Sequence, residues 1–178
     1  NVIYVDDDAV GENDGTSWTN AYTGIESALA VASNGDEIWV AAGVYRPSAD
    51  ANGDHFPSDA RTKTFQLKDG AALYGGFVGG ETSRDQRDWR SNAASLNGDL
   101  GIVGVIADNA FHVVTGADNA TIDGFTITGG NASGGGNNGG GLHNISVSPA
   151  VRNCIFTGNT AGYGGAGIYN RDGAHPTI

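Results

Sequence analysis

Apolar residues fall in short runs of two to five along this chain, each cut off by glycine or a polar residue. The run Val151-Arg152-Asn153-Cys154-Ile155-Phe156-Thr157-Gly158 repeats Ile122-Asp123-Gly124-Phe125-Thr126-Ile127-Thr128-Gly129, 29 positions earlier. Ile122 matches Val151, Phe125 matches Cys154, and Ile127 matches Phe156. A glycine tract follows each run, then a second short apolar stretch: Gly140-Gly141-Leu142-His143-Asn144 in one copy, Ala166-Gly167-Ile168-Tyr169-Asn170 in the other. Prolines 149 and 176 keep the same order with a spacing of 27. Fainter copies lie upstream, at Phe111-His112-Val113-Val114 before Ile122, and at Phe65-Gln66-Leu67 before Leu73-Tyr74-Gly75-Gly76-Phe77. A period of about 20 to 30 residues built of short strands predicts an all-β solenoid, in which each coil buries its apolar side chains against its neighbours.

The first third has a different pattern. Val2–Val5 and Glu37–Val40 read as strands rich in β-branched and aromatic residues. Between them, Ile25, Ala28, Leu29 and Ala32 recur at helical spacing. Thr23 followed by Glu26 predicts a capping box, and Gly35 a stop. A solenoid has to shield its first coil from solvent and from strand pairing, which is the role expected of this amphipathic helix. The expected organisation is a single domain over 1–178, with a cap region at 1–62 (helix near 23–33) and stacked coils at 63–178. Polar loops are expected at 46–62 and 81–95.

Composition decides whether the glycine is order or disorder. Thirty glycines accompany 39% hydrophobic residues, whereas a disordered chain loses hydrophobicity as glycine rises. The glycines are therefore expected at tight corners and at places where backbones approach closely. A net charge of −11, with basic residues scattered apart from Arg84, Arg87 and Arg90, argues against nucleic-acid binding. The single cysteine excludes an intrachain disulfide framework. No apolar run reaches the length of a membrane span. The chain starts at Asn1 and has no methionine, so a removed signal peptide and an extracellular or cell-surface location are expected.

Four groups of residues are candidates for chemistry. Tyr74, Asp123 and Arg152 are expected in one outward column, where the last two form an acid–base couple or, more simply, a cross-strand ion pair. His112 and His143 are expected at matching outward positions with Tyr169 next in line, where surface packing outweighs a metal site. Asp6, Asp8, Asn13 and Asp14 offer oxygen ligands for a structural calcium, but Val10 takes a ligand position and no glutamate closes the loop. Cys154 reads as a small buried hydrophobe. The tract GGNASGGGNNGGG lacks the lysine and helix of a phosphate loop and reads as an elongated corner. Asn144, Asn153 and Asn170 end strands, where asparagines either bond to the backbone of neighbouring coils or serve as ordinary turn residues.

The segments IYVDDDA (3–9) and NDGTSWTNAYTGIESALAVASNGDEIWVAAGVYRP (13–47) resemble the N-terminal cap of bacterial secreted right-handed parallel β-helix proteins, and TFQLKDGAALYGGFVGGETSRDQRDW (64–89) is similar to the continuation of that family's pattern. FTGN (156–159) and GGAGI (164–168) are similar to the FxxN and GGA[ILV] repeats of polymorphic outer-membrane proteins and related surface adhesins. The resemblance implies a right-handed parallel β-helix. It implies little about activity, because that architecture hosts lyases, hydrolases, adhesins and spikes alike. Two functions are weighed. The first is a non-enzymatic structural or adhesin-like protein that forms fibres head to tail. In it, Val2, Ile3, Tyr4 and Val5 of one copy complete the rung begun by Pro176, Thr177 and Ile178 of another. The second is a carbohydrate-active β-helix, a polysaccharide lyase or glycan-binding module, with Tyr163, Tyr169 and Trp89 as sugar platforms. The first is favoured, with no cofactor beyond a possible calcium, no nucleic acid, no membrane insertion, and self-association or a surface glycan as partner.

Overall fold

A computed structural model describes residues 1–133 and 138–178. It is all-β apart from one α-helix and three short 3-10 turns. In chain order the elements are β1 (Val2–Val5), α1 (Ile25–Val31), β2 (Glu37–Ala41), β3 (Gly43–Tyr45), β4 (Phe65–Gln66), β5 (Ala72–Phe77), β6 (Ala94–Asn97) and β7 (Val114–Thr115). Then come β8 (Thr121–Asp123), β9 (Phe125–Thr128), β10 (Asn131–Ala132), β11 (Leu142–Ile145), β12 (Ala150–Arg152), β13 (Ile155–Thr157), β14 (Thr160–Ala161) and β15 (Ile168–Arg171).

From β2 onward the chain visits three open parallel sheets in rotation, β1 having paired with β2 in the first of them. The first stacks β1-β2-β5-β8-β12, the second β3-β6-β9-β13, and the third β4-β7-β11-β15, with β10 and β14 as a short fourth ladder. The expected 29-residue offset is the register itself, since Ile122 lies opposite Val151 and Ile127 opposite Phe156. The 26-residue offset of the glycine-led strands also appears, with Leu142 opposite Ile168 and Asn144 opposite Asn170.

Three inward columns make the core. Ile3, Ile38, Leu73, Ile122 and Val151 stack in the first sheet. Tyr45, Leu96, Ile127 and Phe156 stack in the second, and Phe65, Val114, Leu142 and Ile168 in the third. Ile38, Leu96, Ile122, Ile127, Phe65, Val114 and Leu142 are fully enclosed. The glycines of the FTGN/GGAGI copies answer to this packing. A Cβ on Gly141 would sit 2.8 Å from the Phe156 ring and 2.5 Å from the Gly167 carbonyl. Asn159, the last residue of FTGN, accepts from the Gly130 N–H at 2.9 Å and donates to the Ile127 carbonyl at 2.8 Å, tying one layer to the next.

Helix α1 buries Ile25, Ala28 and Leu29 against the start of the stack, with Ala32 packed beside them. The expected capping box does not form. Gly24 is the N-cap, and the Glu26 carboxylate instead accepts from the Ser48 N–H at 2.5 Å, holding down the 46–54 segment. The helix also ends earlier than Gly35, at the Ala32 cap. Of the tract GGNASGGGNNGGG, residues 134–137 lie outside the described residues, and its opening supplies β10. No helix among the described residues is long and apolar enough to cross a membrane.

Candidate functional site

Register brings Tyr74, Asp123 and Arg152 into line, as expected from the repeat. It does not leave Asp123 facing solvent. The residue is only 5% exposed, because the loop between β5 and β6 folds across it. Glycines make the seat for that loop. At Gly76, with φ at +101°, a Cβ would lie 2.5 Å from the Trp89 Cα. Gly124, with φ at +87°, would push its Cβ within 2.9 Å of both Arg87 Nη1 and Trp89 Cβ.

Arg87 is thereby laid over the sheet, with its Nη2 2.9 Å from Asp123 Oδ2 and its Nη1 donating to the carbonyls of Gly75 and Asp123. The other carboxylate oxygen accepts from Asn153 Nδ2 at 2.8 Å. The expected Asp123–Arg152 ion pair is therefore replaced by Asp123–Arg87, and Arg152 stays exposed. Beside this pair, Arg84 reaches Glu37 at 2.6 Å and the Tyr74 hydroxyl at 3.1 Å, with its guanidinium 4.7 Å from the Tyr74 ring centroid. Trp39 Nε1 donates to the second Glu37 oxygen. Each carboxylate oxygen of Asp123 and Glu37 thus has a partner. The arrangement locks a loop onto a sheet.

His112, His143 and Tyr169 come together as a stacked column. The two imidazoles lie 4.1 Å apart and 5° from parallel, and the Tyr169 ring follows at 5.7 Å. Backbone register does not place the histidines opposite each other, since His143 faces Thr115. The side chain of His112 leans across from the segment before β7, with Nδ1 2.9 Å from the Gly139 carbonyl oxygen. Burial lowers the pKa of His112, and burial together with the neighbouring His112 and Arg171 charges pulls that of His143 down to about 4. Parallel stacked rings aim their in-plane lone pairs alongside one another, which is poor geometry for chelating one ion.

The remaining candidates disperse. Asp6 accepts from the Asp8 N–H, Asn13 from the Thr23 N–H, and Asp14 from the N–H and hydroxyl of Thr16, so these oxygens brace turns. Among the described residues, no group of three or more His, Cys, Asp or Glu side chains converges to hold a metal. Burial pushes the Cys154 thiol up to about 11, the environment of a packing residue rather than of a thiolate nucleophile. Of the three aromatics considered for sugar stacking, Trp89 lies under Arg90 at 4.2 Å and Tyr169 is engaged by His143; Tyr163 alone is freely exposed. The strand-ending asparagines bond side chains of the neighbouring coil rather than its backbone: Asn144 Nδ2 donates to Asn170 Oδ1 at 2.8 Å, and Asn153 Nδ2 to Asp123 Oδ1 at 2.8 Å.

The two ends of the stack differ. The outer edge of β1 is already used: Tyr4 N–H donates to Gly15 O, and Tyr4 O and Asp6 N–H pair with Tyr22. The proposed docking strand Val2–Val5 is thus covered at its centre by the chain's own residues 15–22. At the opposite end, Thr177 pairs with Ala150 and receives the Val151 N–H, starting the layer expected at Pro176 to Ile178. Cys154, Phe156 and Ile168 are only partly buried there, and Ile178 is 79% exposed. Sequence reasoning missed one further feature, the 98–110 loop. It presents Ile102, Val103, Val105 and Ile106 to solvent, and the run GIVGVI was its signal.

No curated protein and no solved structure matches this chain. Residues 8–177 match a family described as "Protein of unknown function (DUF1565)", which is associated with parallel β-helix proteins. That match takes in all but the first seven residues and the last, and the chain belongs to the DUF1565 family.

Proposed function

We propose that the rotation through three parallel sheets is a right-handed parallel β-helix, and that the chain serves as a rigid structural module of an extracellular or cell-surface, adhesin-like protein, without a catalytic centre of its own. The handedness follows from the near-universal right-handed sense of parallel crossovers. One observation favours the structural role over the lyase alternative. The acid on which lyase chemistry would depend, Asp123, is buried with one oxygen on Arg87 and the other on Asn153. Its network fastens loop to sheet and coil to coil.

Head-to-tail pairing through Val2–Val5 is disfavoured by the bonds that Gly15 and Tyr22 already make to Tyr4. Incubation of the chain with acidic polysaccharides, with the absorbance of unsaturated uronate products as readout, tests the structural reading. No product above a buffer blank is expected. Product that forms with the chain and is lost in Asp123→Ala overturns the reading in favour of the lyase alternative.

A further inference from the structure

The loop from Gly98 to Ala110 is closed at its neck by the Ala110 N–H donating to the Gly98 carbonyl at 2.8 Å. That bond sets Asp99 and Asn109 on the two sides of one neck, with Asp108 next to Asn109. Both carboxylates turn into the loop. Asp99 Oδ2 accepts from Gly104 N–H at 3.0 Å, and Asp108 Oδ2 accepts from Ile102 N–H at 2.8 Å. A Cβ on Gly101 would crowd the Asp108 carboxylate.

The second oxygen of each carboxylate is buried without a hydrogen-bond partner among the described residues, and so is Oδ1 of Asn109, a residue only 7% exposed. Three orphaned oxygens, two of them on carboxylates, thus gather in a single loop. Leaving one buried acceptor unsatisfied costs about 1–3 kcal/mol, more when it is charged, so a cluster of three suits a bound water or cation, and the two negative charges of Asp99 and Asp108 favour the cation. The protein's own cations do not supply it. Arg46 and Lys63 line the hollow beside Asp108, yet neither forms an ion pair with Asp99 or Asp108, and Arg46 Nε donates to the Asp99 backbone carbonyl instead.

We propose that the neck of this loop binds a divalent cation through Asp99 Oδ1, Asp108 Oδ1 and Asn109 Oδ1. An all-oxygen donor set of carboxylates and an amide, on a loop able to add backbone carbonyls and water, suits a hard cation of calcium's size rather than zinc. This site is separate from the N-terminal acids Asp6, Asp8 and Asp14; the oxygens of Asp6 and Asp14 brace turns. A bound cation would also secure a loop that presents Ile102, Val103 and Ile106 to solvent and has little apolar packing to hold it.

The test is calorimetric titration of the metal-free chain with calcium chloride, together with thermal unfolding with and without calcium. One ion per chain is expected, with a Kd in the range of about 10⁻⁴–10⁻³ M typical of extracellular modules, and with a calcium-dependent rise in Tm. Asp99→Asn and Asp108→Asn should each weaken binding at least tenfold and together abolish the Tm shift. Asp6→Asn with Asp14→Asn should leave both unchanged. The absence of binding and of any Tm shift at millimolar calcium would overturn the proposal. So would binding retained in the Asp99/Asp108 double variant, or binding lost only in the Asp6/Asp14 variant.

Discussion

Replacing Asp123 by alanine should be among the costliest single changes in the coils. The side chains of Asp123 and Arg87 are 8% and 13% exposed, so the pair is shielded from water and from salt. Removing one partner of a buried pair leaves an uncompensated charge and typically costs about 3–5 kcal/mol. Arg87 keeps its bonds to the Gly75 and Asp123 carbonyls in the variant, which places the expected loss near the lower end, about 3 kcal/mol. Asn153 also loses its acceptor. Urea unfolding followed by tryptophan fluorescence is a fitting assay, since Trp89 sits in the loop that Arg87 anchors. A double-mutant cycle with Arg87→Met isolates the pair, and a parallel cycle with Arg152→Ala serves as control. Arg152 is exposed, so its replacement alone should change stability by no more than about 0.5 kcal/mol and should show no coupling to Asp123. The reasoning fails if Asp123→Ala costs less than about 1 kcal/mol, the scale of an exposed pair, or if Asp123 couples more strongly to Arg152 than to Arg87.

Three further outcomes follow from the geometry. Gly76→Ala combines a positive φ with a Cβ 2.5 Å from the Trp89 backbone, so it should destabilise by at least about 2 kcal/mol, measured in the same unfolding assay, whereas Gly53→Ala, which shares the positive φ but meets no atom, should cost only the smaller backbone strain. Stability should fall as the pH is lowered from about 6.5 towards 4: the His143 imidazole takes up its proton near 6.5 when unfolded but only near 4 when folded, so between those values the unfolded state binds more protons. A Tm-against-pH profile should therefore be flatter over that window in His143→Gln. Cys154 should react with a disulfide reagent at pH 8 far more slowly in the folded chain than in urea, because burial holds its thiol up near 11; equal rates would contradict its place at the edge of the core.

Much of the stacking was legible in the sequence because strand register repeats a local pattern. Where side chains alternate about a fixed period, the offset between copies is the offset between layers. The spacings of 29 between Ile122 and Val151 and of 26 between Leu142 and Ile168 could thus be read directly. The amphipathic face of α1 was equally plain, being a property of consecutive residues. The strands β3 and β6 escaped notice because Gly43-Val44-Tyr45 and Ala94-Ser95-Leu96-Asn97 are too short and too mixed to stand out, and they become strands only by pairing in the sheet, β6 against β9 and β3 against β6. The partners of charged and polar side chains were likewise beyond reach. Glu26 looked like half of a capping box and bonds Ser48 instead; His112 and His143 stack although their backbones are out of register. What the sequence by itself determined is the repeating inward column of apolar residues, since hydrophobic periodicity needs no knowledge of distant chain. The tertiary structure alone decided that Asp123 pairs with Arg87 rather than with its neighbour Arg152, because a loop folding back over the sheet brings together groups 36 residues apart whose meeting leaves no periodic trace.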